Sequence, residues 1–427
     1  MHILHVALGG CLKAPPVEYG LSEDTGGHIA YILGAATRQA QRGARVDIVT
    51  RAFDTFGPHY MTAREAFAPN GHIIRLRTQT PTYLTKAALW DEVPALTAAL
   101  RDHLRKGPRP DVIHAHFADA AEVALAVGRS FDIPVVYTPH SLALDKVGGG
   151  VERRRIEAER RAIRTAAAII VSSRDEVERQ ITAYDPNAMV RARRISPGVT
   201  LLPEGDAKDA RALLAGGLTD MDRPMVLAIA RPVAKKNLIA LVRAFACDAA
   251  LRDRANLVIL AGQHATAEPA ARRLVEDLRQ AGAGMEEIFA LPPAHTSHHV
   301  AGLYRLAAET RGVFVNPALF EPFGLTLLEA AQAGLPVVAT RHGGPSAILR
   351  DLDHGHLIDP QDPADIARAC RALIGDAAAW DRASAKARAG VGRYDWDRYA
   401  LESLTLYRSL RTARPAPLRR MMAEGAA

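Results

Sequence analysis

Phe320-Glu321-Pro322-Phe323-Gly324-Leu325-Thr326-Leu327-Leu328-Glu329-Ala330-Ala331 sets two carboxylates eight residues apart, around a Pro-Phe-Gly turn and the opening of an apolar helix. Pro322 suits a position just before a helix start, and Gly324 lets backbone approach a ligand closely. The free N–H groups of such a helix end are a ready anion site. Glu321 before the helix and Glu329, read as two turns inside it, would be separated by about the length of a sugar nucleotide at roughly 1.5 Å rise per residue. One carboxylate could then accept from hexose hydroxyls and the other from a ribose, with a diphosphate on the amides between, near Phe323, Gly324 and Leu325. The plainer reading makes Glu321 a first-turn carboxylate favoured by the helix dipole and Glu329 a solvated helix residue. Spacing alone leaves the two readings even.

The flanks decide between them. Phe314-Val315-Asn316-Pro317-Ala318 precedes this phrase, with Leu303-Tyr304-Arg305-Leu306-Ala307-Ala308 further upstream. Gly334-Leu335-Pro336-Val337-Val338-Ala339-Thr340 and His342-Gly343-Gly344-Pro345 follow it. Together they resemble the retaining glycosyltransferases that carry a paired-glutamate motif, and within them the sucrose-phosphate synthases. The resemblance is dense over 295–348 and looser before 130.

Further out, short β-rich runs alternate with longer amphipathic patterns. In the first half strands are expected at 2–8, 46–50, 72–77, 111–115, 134–138 and 168–172, with helices at 27–41, 119–130 and 174–184. In the second half strands are expected at 225–230, 257–261, 287–291, 313–315 and 336–339. This alternation predicts an α/β chain with parallel sheets covered by helices on both faces. A length of 427 residues suits two domains rather than one core. The expected division is 1–205 and 222–392, joined by Ala- and Asp-rich sequence around 200–222 that includes Pro203-Glu204-Gly205-Asp206. Two doubly wound Rossmann-like domains facing a cleft form the GT-B architecture, which the resemblance also implies. It further implies that a last helix, 396–412, returns to the first domain. The tail after Arg411 reads as loose.

Composition excludes several alternatives. The formal charge of +7, from 54 basic and 47 acidic residues, suits a polyanionic small ligand without arguing for nucleic acid. Cys11, Cys247 and Cys370 are few and scattered, so no disulfide framework is expected. No leader and no membrane-length apolar run is evident, and a cytoplasmic protein is expected.

Three segments carry the remaining chemistry. Asp24-Thr25-Gly26-Gly27-His28 follows the first strand and opens a helix, where Gly26 and Gly27 would let backbone meet a phosphate of the donor. Sucrose-phosphate synthases carry Gln at the position of His28, which the resemblance places against the acceptor. Arg231-Pro232-Val233-Ala234-Lys235-Lys236-Asn237 follows the first strand of the second half. Arg231 and Lys236 could converge on a diphosphate, and cations at a helix start call for an anion to offset them. The family's arginine and lysine map onto these two, while Lys235 reads as peripheral. Thr138-Pro139-His140-Ser141-Leu142 ends a buried strand, and His140 matches the family's active-site histidine.

On the acceptor side the resemblance points to Lys146, and to Arg154 and Arg155 within Glu152-Arg153-Arg154-Arg155-Ile156-Glu157-Ala158-Glu159-Arg160, as phosphate ligands. Gly148-Gly149-Gly150 replaces a longer loop. His114 and His116 with Asp119 invite a metal, but no third ligand cluster is evident and the metal reading is rejected. Asp220-Asp222, Asp351-Asp353 and Asp395-Asp397 are chance matches to a metal-binding Asp-x-Asp string, and no metal or other cofactor is expected. The expected reaction moves glucose from UDP-glucose to fructose 6-phosphate, and a separate phosphatase would have to act on the product. The rivals are another hexosyl donor such as GDP-mannose, a lipid acceptor at a membrane surface, and a silent sugar-nucleotide sensor. No stable membrane insertion is expected.

Overall fold

Runs such as Val112-Ile113 and Met225-Val226-Leu227-Ala228 are apolar at consecutive positions, the pattern of strands covered on both faces. The computed structural model, which describes residues 1–22, 24–145, 153–199, 205–265 and 269–412, arranges these runs in two sheets. The first sheet contains β1 (His2–Val6), β2 (Arg45–Arg51), β3 (Arg64–Ala68), β4 (Gly71–Leu76), β5 (Val112–His116), β6 (Val135–Thr138), β7 (Ala168–Val171) and β8 (Ala192–Arg194). Their order is β3-β4-β2-β1-β5-β6-β7-β8, parallel throughout except for the β3–β4 edge pair. The second contains β9 (Met225–Ile229), β10 (Asn256–Leu260), β11 (Phe289–Ala290), β12 (Val313–Asn316), β13 (Val337–Thr340) and β14 (Gly355–Ile358), in the order β11-β10-β9-β12-β13-β14, all parallel.

Each sheet reverses its winding once, between β1 and β5 in the first and between β9 and β12 in the second. Ligands of doubly wound sheets collect beyond the carboxyl ends of strands at such reversals. The segments leaving those ends are the Gly26-Gly27 loop after β1, Phe117 after β5, Arg231–Lys236 after β9 and Pro317–Gly324 after β12.

The chain crosses between the domains twice. Val199, on the way out, donates its N–H to the carbonyl of Tyr394, on the way back, at 3.0 Å. After the return, helix Trp396–Thr412 buries Trp396, Tyr399, Leu404 and Tyr407 among the β1 and β2 side chains of the first core. Tyr31 bonds Tyr399 at 3.0 Å, and Gly34 leaves room for the Trp396 indole, which a Cβ there would meet at 2.4 Å.

Several sequence expectations need correcting. Strands β3, β8 and β14 were not anticipated: β3 is a polar antiparallel edge, and β8 has only three residues. The expected strand 287–291 shrinks to Phe289–Ala290. The expected helix 174–184 is wound over Glu176–Ile181 as a π-helix, with α-helical residues at 174–175 before it and Thr182–Tyr184 after it. Part of the inter-domain connection, Thr200–Glu204, and the tail beyond Thr412 lie outside the described residues. Among the described residues no helix is long and apolar enough to cross a membrane.

Candidate active site

Glu321 leaves β12 through a turn locked onto the loop after β13. Its N–H reaches the His342 carbonyl at 3.2 Å, and its own carbonyl accepts from Gly344 at 2.9 Å. The fit requires glycine: a Cβ on Gly343 would stand 2.1 Å from the Glu321 carbonyl oxygen, and one on Gly344 would stand 2.2 Å from that of Phe323. Held this way, the Glu321 carboxylate meets Lys236 Nζ at 2.5 Å and accepts from Asn316 Nδ2 at 3.3 Å. Burial pushes this carboxyl up, but Lys236, with Asn316, outweighs burial and holds it below the usual range.

Gly324 then takes the left-handed conformation, φ +102°, and opens helix Leu325–Ala333 with no side chain capping it. The amides at that end therefore have no side-chain cap. Because the helix begins at Leu325, Glu329 lies one turn inside it rather than two. Glu329 Oε2 lies 3.1 Å from the Tyr304 hydroxyl, and burial raises its pKa against that hydrogen bond. The Phe323 ring packs towards Tyr394, with centroids 6.2 Å apart.

Opposite stand the first domain's glycines. A Cβ on Gly26 would lie 3.4 Å from Arg231 Nε, and one on Gly27 would lie 3.6 Å from Leu325 Cδ1. The glycine backbone of the first domain therefore faces the Arg231 guanidinium and the Leu325 side chain of the second across the cleft. Arg231, Lys235 and Lys236 crowd together. Desolvation, then Arg231 and Lys236, lower the Lys235 amine to about 8, although its side chain reaches solvent. Lys235, read as peripheral, is exposed but shares the electrostatics of the cluster.

His140 follows β6 in the left-handed region, φ +56°, a conformation that strains a non-glycine residue by roughly 1–3 kcal/mol. Its ring lies 4.9 Å from those of Tyr31 and Phe117 and 6.2 Å from His28, centroid to centroid. Phe117 is itself left-handed, φ +72°. His28 sits one residue into helix Gly27–Gln41, edge-on to Phe117 at 5.0 Å, and its Nε2 is buried without a partner.

On the acceptor side the two candidate arginines part company. Arg154 donates to the Trp90 carbonyl at 2.8 Å and to Asp91 at 3.2 Å, with its guanidinium over the Trp90 ring. Arg155 turns inward, donating to the Ser141 carbonyl at 2.8 Å and to Glu159 at 2.8 Å, and thereby braces the segment that carries His140. Lys146, the Gly148-Gly149-Gly150 loop and Glu152 lie outside the described residues.

Sequence reasoning missed Lys86, which opens helix Lys86–Lys106. Its ammonium stands 4.4 Å above the Phe117 ring and 3.5 Å from Asp24. The signal was available: a cation at a helix start was the argument applied to Lys235 and Lys236. The statement that no third ligand joins His114 and His116 is also corrected. His5, from β1, brings a third imidazole within 4.8 Å of theirs. The Asp-x-Asp strings serve structural ends, Asp351 accepting from Tyr394, Asp353 from Lys386 and Asp397 from Arg42.

Two facing Rossmann-like domains bring cations, a carboxylate and a helix end without a side-chain cap together in the cleft. Two family models match the chain: a glycosyl transferase 4-like domain over residues 26–198 and glycosyl transferases group 1 over 211–390. The chain belongs to the GT-B glycosyltransferases of this group. Within the class it is similar to sucrose-phosphate synthases. A probable sucrose-phosphate synthase of Oryza sativa subsp. japonica is 30% identical over 93% of this chain and 50% of its own length. The chain thus spans about half the length of the curated relatives it matches. A sucrose-phosphate synthase structure from Thermosynechococcus elongatus superposes with a TM-score of 0.82 at 25% identity, covering 97% of this chain and all of that one. At 18% identity, HepE of Anabaena, solved with UDP and glucose, shares the fold, with a TM-score of 0.70 over 96% of this chain and all of its own.

Proposed function

We propose that this chain transfers glucose from UDP-glucose to fructose 6-phosphate with retention at the anomeric carbon, giving sucrose 6-phosphate. The observation that carries the reading is the Lys236–Glu321 pair, with Arg231 and Lys235 beside it, facing the Gly26-Gly27 loop. These cations would take the diphosphate as its bond to C1 breaks, the step at which charge develops and fixed charges help most. Glu321 and His140 would hold the glucosyl hydroxyls, and Glu329 the ribose. The acceptor oxygen would bond C1 on the face the phosphate leaves, passing its proton to the departing phosphate oxygen, so that no side-chain base is required. With three cations at the diphosphate, no metal is needed for neutralisation. Lys86, and by the family resemblance Lys146, would take the acceptor phosphate, with Arg155 bracing Ser141 beside His140.

The test is UDP release from UDP-glucose by the purified protein in EDTA, with and without fructose 6-phosphate. Release that requires the phosphorylated acceptor and survives chelation supports the proposal. Release unaffected by fructose 6-phosphate, or abolished by EDTA, would refute it.

A further inference from the structure

A chain of buried polar side chains runs from the cleft through the first sheet to the last helix. His140 Nε2 lies 2.9 Å from His116 Nδ1, His116 Nε2 lies 2.9 Å from His5 Nδ1, and His5 Nε2 lies 2.9 Å from Gln39 Oε1. Gln39 Nε2 donates to Ser403 Oγ at 3.0 Å, and Ser403 donates to the Ala400 carbonyl at 3.2 Å. His5, His116, Gln39 and Ser403 have no exposed surface.

The direction of every donor follows from the far end. The Ser403 hydroxyl donates to the Ala400 carbonyl and accepts from the Gln39 amide nitrogen, with the Tyr407 hydroxyl in hydrogen-bond reach of both side chains. The Gln39 oxygen therefore faces His5 and takes a proton from Nε2. A neutral imidazole with a proton on one nitrogen has the other bare, so His5 Nδ1 accepts from His116 Nε2–H, and His116 Nδ1 accepts from His140 Nε2–H. Burial keeps the rings neutral, pulling His5 down to about 4, His140 to about 3 and His116 well below its ordinary value.

We propose that Ser403, Gln39, His5 and His116 are positioning residues that fix His140 as the Nε2–H tautomer, so that Nδ1 is presented as a hydrogen-bond acceptor to a hydroxyl of the bound sugar nucleotide. The inference rests on the reading of His140 as a sugar contact, and it extends the reach of the site to a helix of the far terminus. A tautomer reversed along the wire would offer an N–H where the hydroxyl needs an acceptor, the kind of error that disables a histidine whose geometry is otherwise intact.

The experiment uses the full chain labelled with ¹⁵N-histidine, free of ligand, and three variants. In the wild type, long-range proton–nitrogen spectra are expected to show His140 protonated at Nε2 alone. His5→Leu cuts the wire and should mix the His140 tautomers and lower kcat by about tenfold or more, with the KM for UDP-glucose little changed. His5→Gln, whose oxygen can accept from His116 and whose amide can donate to Gln39, should restore the single tautomer and most of kcat. Ser403→Ala, a gentler change should the histidine variants fold poorly, frees the Gln39 amide to turn over and should also mix the tautomers. A wild-type His140 protonated at Nδ1, or a His140 signal and kcat unmoved by His5→Leu and Ser403→Ala, would overturn the proposal. The expected spectra without any UDP release would support the wire and reject the substrates instead.

Discussion

Glu321 and Glu329 share a motif but not an environment. Lys236 holds Glu321 below the ordinary carboxylate range, so the pair contributes stability that is complete above the unfolded-chain value and is lost as pH falls through the folded one. Lys236→Ala should therefore narrow its stability gap from the wild type as the pH is lowered to about 4 in urea titrations, while kcat/KM drops by about 100-fold at neutral pH. Glu329 is the reverse case, because burial raises its pKa and its ionised form costs stability at pH 7. Glu329→Gln should raise Tm while weakening UDP binding by about tenfold in calorimetry. The two arginines show where residue-scale reading stops. Arg154 and Arg155 are adjacent in a charged run, and only helical phase, with Trp90 on one side and Ser141 on the other, separates them. Arg155→Ala should raise the KM for fructose 6-phosphate, and Arg154→Ala should leave it unchanged.

Elements were legible where apolar runs are continuous. Helix Gly27–Gln41 begins and ends where its pattern does, and strands at both sheet centres, such as β1 and β9, announce themselves because both faces are buried. The edges were not legible. β3 opens with the charged pair Arg64-Glu65 and has no fully buried position, and β14 exposes His356 and Leu357, so neither carries the signal of a covered strand. The π-helix at Glu176–Ile181 has a helical period and differs only in its hydrogen bonding, which composition does not report. The His5–His116–His140 wire was invisible for a similar reason, since its members come from three strand ends or strands that are neighbours only in the sheet order. Close packing at glycine yields a prediction of its own. Gly34→Ala would drive a methyl into the Trp396 ring and should cost about 1–3 kcal/mol in urea unfolding.

At the scale of the whole molecule, the last helix belongs to the first domain's core as fully as β1 does. A chain ended after Asp395 would leave Tyr31 and its neighbours facing water where Trp396, Tyr399 and Tyr407 now pack. It should lose cooperative thermal unfolding of the first domain, readable by calorimetry. The paired crossings at Val199 and Tyr394 carry a further consequence. Topologically, the second domain is an insert whose two ends emerge side by side, like a loop grown to domain size. An insert with adjacent ends can be excised and transplanted at two neighbouring joints without rethreading its host. The second domain can thus be exchanged between related chains while the first, with its closing helix, stays whole.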